Sequence, residues 1–361
     1  SVEYRKISDV EVGLYLSGGL DSTLIGSLLA TDTKIKSFNV DYDEIFDGYK
    51  GEFKEAKYSA DQINVELIHK SISFEEFRSI ISEYSFLQDD LIGDEVGIPL
   101  YFLGKLTKTN GLKVVQVGEG ADELFYGYEH WLRFAKLYKR IPKFNSISSQ
   151  NNFKSHRANL LFNIIQNNNP FPGGAIGFNL AQIKKLVEFD FTDNSNLINY
   201  SDNLWQDYLS REDFSITKWM TLIDLKIRLP ELLLMRMDKL SMQSGVEARV
   251  PFLDHRIVEF VLSLPENIIF DLNRTKPLLK DLSKRHIPEK VLSRRKQGFR
   301  APISNWIQKD PDYFFDKIHE FNLNYNFFKP AALSRTLKGG DIQKIWYIYN
   351  LSSWHLSRIT K

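Results

Sequence analysis

The sequence predicts an α/β fold in which a parallel sheet carries helices on both faces and is followed by a mainly helical C-terminal lobe. Short apolar runs alternate with helical patterns over residues 1–135, which is typical of a parallel sheet. Two glycine-containing motifs, at residues 17–22 and 118–122, each directly follow such an apolar run. Long helical patterns dominate from residue 136 onward. We therefore expect a core over residues 1–135 and a helical lobe over residues 136–361.

Each element has a local signal. The predicted strands are short apolar runs over residues 12–16, 34–40, 65–68 and 113–117. The helices between them show apolar residues at helical spacing, over residues 23–30, 55–64, 74–86 and 98–110. Two further helices are expected over residues 213–237 and 256–264. Because the carboxyl ends of parallel strands share one edge of a sheet, both glycine motifs should lie at that edge.

Composition and charge exclude several classes of protein. Apolar residues make up 43% and charged residues 26% of the 361 residues, which excludes a disordered or collagen-like chain. The formal net charge of +1 gives no overall field for nucleic acid or an anionic membrane. No apolar run approaches the ~18 residues of a membrane helix. Cysteine is absent, which removes thiolate metal sites and cysteine nucleophiles. We expect a soluble, cytoplasmic protein with neither nucleic acid nor membrane as a partner.

The first motif, with the letters SGGLDS, has the chemistry of a phosphate-binding loop. Gly18 and Gly19 let the backbone approach an anion closely, and the amides of the following helix point toward it. Ser17 and Ser22 add hydroxyl donors. Asp21 would repel a phosphate unless a cation lay between them, which indicates Mg²⁺. The motif lacks the lysine that ends a Walker A loop, and an ordinary Gly-Gly turn capped by aspartate is the alternative interpretation.

The second motif reads GEGADELFYGY and begins at Gly118. Glu119, Asp122 and Glu123 place three carboxylates within five positions, where they would repel each other without a cation or a proton-transfer role. Asp122 is placed to be a second Mg²⁺ ligand across the sheet edge from Asp21. A solvated acidic turn is the alternative interpretation, which the neighbouring glycines disfavour.

Both motifs resemble those of known families. The first is similar to the loop of the pyrophosphate-loop ATP hydrolases, which have the adenine nucleotide alpha hydrolase-like fold and include GMP, NAD, argininosuccinate and asparagine synthetases. The second is similar to a signature of the C-terminal synthase domain of the glutamine-hydrolysing asparagine synthetase family. Two later segments, at residues 238–254 and 294–302, resemble the same family. Val117 and Asp238 depart from it, because the family usually has serine and asparagine there.

The resemblance implies a role for each matching residue. Pyrophosphate and Mg²⁺ would be held by Ser17, Gly18, Gly19, Asp21, Ser22 and Asp122. The rest of the nucleotide would contact Gly118, Lys239 and the backbone near Tyr15 and Val40. Glu119 would take a proton or orient the amine, and Lys296 would stabilise charge on the reacting phosphate and acyl oxygens.

The family likeness implies an ATP-dependent carbon–nitrogen ligase. The side-chain carboxylate of aspartate would be adenylated, and attack by ammonia would give asparagine, AMP and pyrophosphate. Glutamine-dependent members carry a glutaminase domain with an N-terminal cysteine nucleophile, and this sequence has neither. We therefore expect the synthase part of a longer enzyme, a synthase fed by free ammonia, or a subunit fed by a glutaminase partner. The oligomeric state is open, with a homodimer as one option.

Three alternatives stay open at the level of sequence. The same adenylation could act on another acid, as in β-lactam synthetases, peptide cyclases and amidotransferases that modify polysaccharides. The departures at Val117 and Asp238 are compatible with this alternative. A nucleotide-binding module without catalysis is disfavoured because Asp21, Glu119 and Lys296 are intact. Modification of a nucleic acid is disfavoured by the balanced charge.

Overall fold

The computed structural model describes residues 1–30, 34–44, 46, 49, 51–142, 156–171, 173, 177–189, 196–296 and 298–359. Its strands are β1 (Val12–Tyr15), β2 (Lys36–Tyr42), β3 (Glu66–Ile72), β4 (Val114–Gln116) and β5 (Glu247–Arg249). Among the described residues they form one sheet with the order β3-β2-β1-β4-β5, and every neighbouring pair is parallel. The predicted class, a parallel sheet with helices around it and a mainly helical C-terminal part, is confirmed.

Helices make up most of the remaining described structure. They are α1 (Leu20–Leu29), α2 (Phe53–Gln62), α3 (Phe74–Leu87), α4 (Gly97–Thr109), α5 (Ala121–Phe125), α6 (Glu129–Arg140), α7 (His156–Ile165), α8 (Leu180–Leu186), α9 (Asn196–Leu209), α10 (Ile216–Ile223), α11 (Met235–Met242), α12 (His255–Ser263), α13 (Glu266–Ile269), α14 (Pro277–Ser283), α15 (Glu289–Leu292), α16 (Ile303–Lys309), α17 (Pro311–Tyr325), α18 (Pro330–Lys338) and α19 (Ile342–Ile359). In the described part of the chain, none of them combines the length and the apolar character needed to cross a membrane.

Helices cover both faces of the sheet, as the burial of β1 illustrates. Successive side chains of a strand point to opposite faces. Leu14 packs in one core with Leu24 and Ile25 of α1, whereas Tyr15 belongs to a second core that includes Ile98 of α4. All five side chains are buried. Such burial on both faces is typical of parallel sheets, and in the central strand it leaves the end of the strand as the accessible part.

One strand and one helix differ from the sequence prediction. β5 is not predicted because its residues, Glu-Ala-Arg, lack the apolar run of the other strands. It lies at an edge of the sheet, where polar side chains can reach water. The helix predicted over residues 213–237 is α10, a π-helix over Asp224–Leu234 and α11 in succession. Pro230 lies inside the π-helix, and proline removes a donor from the α-helical ladder.

The sheet order brings the two glycine loops to one place. The chain goes from β1 to β2 on one side of the central strand and later reaches β4 on the other side. In open α/β sheets, ligands bind at the carboxyl ends of strands where the order reverses in this way. The loops after β1 and β4 both leave from this point. The predicted division of the chain at residue 135 stays a prediction; β5, from the second half, joins the same sheet.

Candidate active site

An open cleft lies where the loops after β1 and β4 meet. It has a cavity volume of about 180 Å³. Its lining includes most residues that the sequence predicts for the site, namely Tyr15, Ser17, Asp21, Ser22, Val40, Gly118, Glu119, Asp122 and Lys296. Its apolar lining includes Leu16, Phe38, Leu100, Leu103 and Met237. The cleft thus combines apolar side chains, which suit a nucleobase, with charged and hydroxyl groups, which suit phosphates. A second groove, between α1 and α14, is lined by four leucines and four polar residues, and its described lining contains none of the predicted site residues.

The loop after β1 is shaped by its own hydroxyl groups and by a glycine. The backbone N–H of Ser17 donates to Ser22 Oγ at 3.3 Å, and the N–H of Gly19 donates to Ser17 Oγ at 3.3 Å. Gly18 has a φ of 74°, and a Cβ there would lie 2.4 Å from the backbone carbon of Glu55 in α2. Glycine is needed here because the conformation is left-handed and no side chain has room. The loop therefore presents hydroxyl and amide donors at the N-terminus of α1, where an anion is favoured.

The two glycine loops contact each other. A Cβ on Gly118 would lie 3.1 Å from the Cβ of Asp21 and 3.3 Å from the backbone nitrogen of Ser22. Gly120, with a φ of 87°, then turns the chain into α5, which carries Asp122. The short turn and the short helix together bring the second carboxylate next to the first loop.

Asp21 and Asp122, the two predicted metal ligands, share one partner. The Nζ of Lys276 lies 2.6 Å from both carboxylate oxygens of Asp21 and 2.6 Å from Oδ1 of Asp122. Asp122 Oδ1 is buried and accepts no well-aligned hydrogen bond from any described residue. Two carboxylates that share one ammonium group at these distances are close enough to share a metal ion, and carboxylates are the hard donors that Mg²⁺ uses beside phosphate oxygens. The residues therefore fit Mg²⁺. No larger metal-binding group of His, Asp and Glu occurs among the described residues.

Lys296 approaches the same carboxylates from the loop after α15. Its ammonium group forms an ion pair with Oδ2 of Asp122 and lies 5.2 Å from the ring centre of Tyr128. Desolvation lowers the pKa of Lys296, and the nearby carboxylates, that of Asp21 first, oppose the shift. The side chain is 35% exposed. Lys296 therefore places a positive charge beside the candidate phosphate position and has enough exposure to contact a substrate.

Glu119 is held by a buried arginine. Arg236 of α11 donates to Oε1 of Glu119 at 3.2 Å and also pairs with Asp94. Desolvation opposes the charge of Arg236, but the carboxylates of Asp94 and Glu119 outweigh it and raise the pKa of the guanidinium. The orientation of the Glu119 carboxylate in the cleft is thereby fixed. A fixed carboxylate at this position can accept a proton from an amine.

Glu52 lies in the lining of the cleft close to these charges. It is 3% exposed, and its Oε2 has no hydrogen-bond partner among the described residues. Burial raises the pKa of Glu52 to about 8, while Arg294 opposes the shift, Asp41 reinforces it and Lys296 opposes it. The carboxyl group therefore holds its proton over much of the neutral range. Burial likewise raises the pKa of Tyr15 to about 12, so this hydroxyl stays neutral.

The described lining of the cleft lacks three of the predicted site residues, namely Gly18, Gly19 and Lys239. The two glycines shape the backbone of the loop. Lys239 forms an ion pair with Asp89 and is 31% exposed. Its contact with a phosphate stays a prediction, as do the catalytic, nucleotide and metal roles of the other residues.

Three residues of the site were not predicted: Lys276, Arg236 and Glu52. Lys276 stands 255 positions after Asp21, so no local spacing connects the two. Arg236 precedes a segment that carries the family resemblance, and this nearness is the one available signal. Glu52 stands alone before α2, and no pattern in the surrounding sequence marks it.

Comparison with known proteins finds one family over nearly the whole chain. A family model described as asparagine synthase matches residues 1–356. "Asparagine synthetase [glutamine-hydrolyzing] 1" of Bacillus subtilis is 28% identical over 377 aligned positions, which cover 100% of this chain and 58% of that protein. A putative asparagine synthetase of Mycobacterium tuberculosis is 29% identical over 327 positions, with coverages of 85% and 47%. An amidase of Gibberella zeae, chry2, is 23% identical over 350 positions, with coverages of 85% and 51%. The chain spans about half the length of the curated relatives it matches.

Proposed function

The chain belongs to the asparagine synthase family, and from this premise we propose that it joins ammonia to a carboxylic acid at the expense of ATP. The reaction has two steps. A carboxylate oxygen of the acid attacks the α-phosphorus of ATP, the bond to the β-phosphate breaks, and pyrophosphate leaves. The nitrogen of ammonia then attacks the acyl carbon, the bond to AMP breaks, and an amide is released together with AMP.

This proposal rests mainly on one observation: the two glycine loops contact each other, and the aspartates that they position form ion pairs with lysines. Asp21 follows one loop, Asp122 follows the other, and the ammonium groups of Lys276 and Lys296 contact them. Mg²⁺ bound to the two aspartates would neutralise charge on the phosphates. An adenylating site needs cations beside the leaving group, because negative charge builds up on pyrophosphate as it leaves.

Each of the polar residues that the sequence predicts for the cleft has a proposed task. Ser17 and Ser22 donate hydrogen bonds to the departing pyrophosphate, together with the amides at the start of α1. Lys296 stabilises the charge that develops on the phosphate and acyl oxygens. Glu119, oriented by Arg236, takes a proton from the attacking nitrogen. The backbone at Tyr15, Val40 and Gly118 contacts the adenosine, next to the apolar side chains of the lining.

Aspartate is the proposed acid and asparagine the proposed product. Two of the relatives are named asparagine synthetases, and both names include glutamine hydrolysis. We therefore also propose that a glutaminase, as a further domain or as a partner subunit, supplies the ammonia. A cytoplasmic location belongs to the same proposal.

The choice of acid is tested by measuring pyrophosphate and AMP with ATP, Mg²⁺ and ammonium in the presence of aspartate, glutamate or larger carboxylic acids. We expect release with aspartate to exceed release with glutamate at least about tenfold, because one extra methylene is discriminated by about that factor or more. The Asp21→Ala variant serves as the blank and should fall to background.

Either of two other results would change the proposal. Release with a different acid but not with aspartate would keep the reaction and overturn the substrate. No release with any acid, in protein that still binds ATP, would overturn the reaction itself.

A further inference from the structure

Lys276 fills the space that the proposed Mg²⁺ site requires. Its Nζ lies 2.6 Å from each carboxylate oxygen of Asp21 and 2.6 Å from Oδ1 of Asp122. A metal ion bound to the same oxygens would overlap the ammonium group, because ligands approach Mg²⁺ at about 2.1 Å. The ammonium group and the metal therefore exclude each other at this position.

The burial and the backbone conformation of Lys276 hold its ammonium group next to Asp21 and Asp122. Its side chain is 5% exposed, and its backbone has a φ of 50°, in the left-handed region, directly before α14. A non-glycine residue holds this conformation only when its surroundings impose it. A Cβ on Gly127 would lie 1.8 Å from Asp122 Oδ1 and 2.4 Å from the Cε of Lys276. Glycine at position 127 thus leaves the room in which the ion pair forms.

The charges of this cluster balance without a metal. Asp122 also pairs with Lys296, so the carboxylates of Asp21 and Asp122 face two ammonium groups, and their formal charges cancel. A free divalent cation gains little net attraction here and would first have to displace a buried lysine. A nucleotide triphosphate changes the balance, because its negative charges attract the ammonium groups and its oxygens complete the shell of Mg²⁺.

We propose that Lys276 occupies the metal position in the nucleotide-free protein, so that Mg²⁺ enters only together with ATP, when the Lys276 ammonium group leaves the two aspartates. This inference rests on the proposed assignment of Asp21 and Asp122 as metal ligands. Lys276 then keeps the incomplete site closed to free divalent cations and couples entry of the metal to entry of the nucleotide.

The test measures binding of Mn²⁺ to the full chain without nucleotide, from the electron paramagnetic resonance signal of the free ion. Wild-type protein should bind Mn²⁺ weakly. Lys276→Met should bind at least about tenfold more tightly, because the competing charge is gone and both carboxylates remain. Lys276→Arg keeps the charge and should stay weak. Lys284→Met removes an exposed lysine that pairs with Asp281 and not with Asp21 or Asp122, and it should match the wild type.

Equal Mn²⁺ affinity in wild type and Lys276→Met would overturn the inference. If Lys276→Met does not fold, the inference is tested instead by the melting temperature of the wild type, measured with Mg²⁺, with ATP and with both. Mg²⁺ alone should leave it unchanged, and Mg²⁺ with ATP should raise it above ATP alone; a rise with Mg²⁺ alone would also overturn the inference. Because neither readout requires turnover, these results stay distinct from a failure of the proposed amide-forming reaction.

Discussion

Replacing Lys296 with methionine is expected to lower kcat for pyrophosphate release by about a thousandfold, with a change of only a few-fold in KM for ATP. The Lys296 ammonium group lies at Asp122, beside the candidate phosphate position, and methionine keeps most of its length without the charge. The variant would remove the positive charge that we propose stabilises the charge developing during adenylation. Ground-state binding should change little because the hydroxyl and amide donors of the first loop remain. Steady-state kinetics with ATP, Mg²⁺, ammonium and aspartate measure both constants.

Arg295→Met is the matched control for this variant. Arg295 is the neighbouring residue, its side chain is 81% exposed, and it pairs with Glu129 on the surface. We expect kcat to stay within about twofold of the wild type, because exposed ion pairs contribute little. If both variants lost activity equally, or if Lys296→Met kept a tenth of the wild-type kcat, Lys296 would not have the role proposed for it.

Gly18→Ala is expected to lower the free energy of unfolding by about 3 kcal/mol and to abolish detectable ATP binding. At a φ of 74° an alanine is strained, and its Cβ would lie 2.4 Å from the backbone carbon of Glu55. That contact is with backbone atoms of α2, so no side chain can move aside to relieve it. The first loop must therefore shift, and its donors move with it. Urea unfolding and calorimetric titration with ATP measure the two effects.

The adjacent glycine provides the control. Gly19 has a φ of −77° and a ψ of 171°, which alanine adopts readily, and the nearest atom to a Cβ there is Ser17 Oγ at 3.4 Å. Gly19→Ala should cost about 1 kcal/mol or less, the usual range for a change at a helix N-cap. Equal destabilisation by the two substitutions would contradict the geometry described for this loop.

The sequence alone predicts those helices, strands and loops whose own residues show an apolar run, a glycine turn or a helical pattern. β1, the first loop and α1 form a continuous unit in which an apolar run, two glycines and a helical pattern follow one another, and they were predicted within a few residues. β5 was not predicted, because an edge strand of three residues needs no apolar pattern. The π-helix at Asp224–Leu234 was also missed, since its helical spacing differs too little from that of an α-helix to show in one sequence.

The candidate site shows the same limit. Asp21 and Asp122 could be predicted because each lies in a glycine motif after a predicted strand. Lys276 could not, because its relation to them depends on the packing of α14 against the loops and on the space beside Gly127. Arg236 likewise reaches Glu119 only through tertiary structure. Local sequence patterns therefore predicted the two aspartates. Lys276 and Arg236 could be found only from the three-dimensional structure.

The central claim, that the chain activates a carboxylic acid by joining it to AMP, is tested most directly by following one oxygen atom. Aspartate labelled with ¹⁸O in its side-chain carboxylate would be incubated with the full chain, ATP, Mg²⁺ and ammonium, and the products analysed by mass spectrometry. We predict one ¹⁸O atom in the phosphate of AMP and none in pyrophosphate, because the carboxylate oxygen that attacks the α-phosphorus leaves with AMP. Label in inorganic phosphate, or formation of the amide with unlabelled AMP, would contradict the claim.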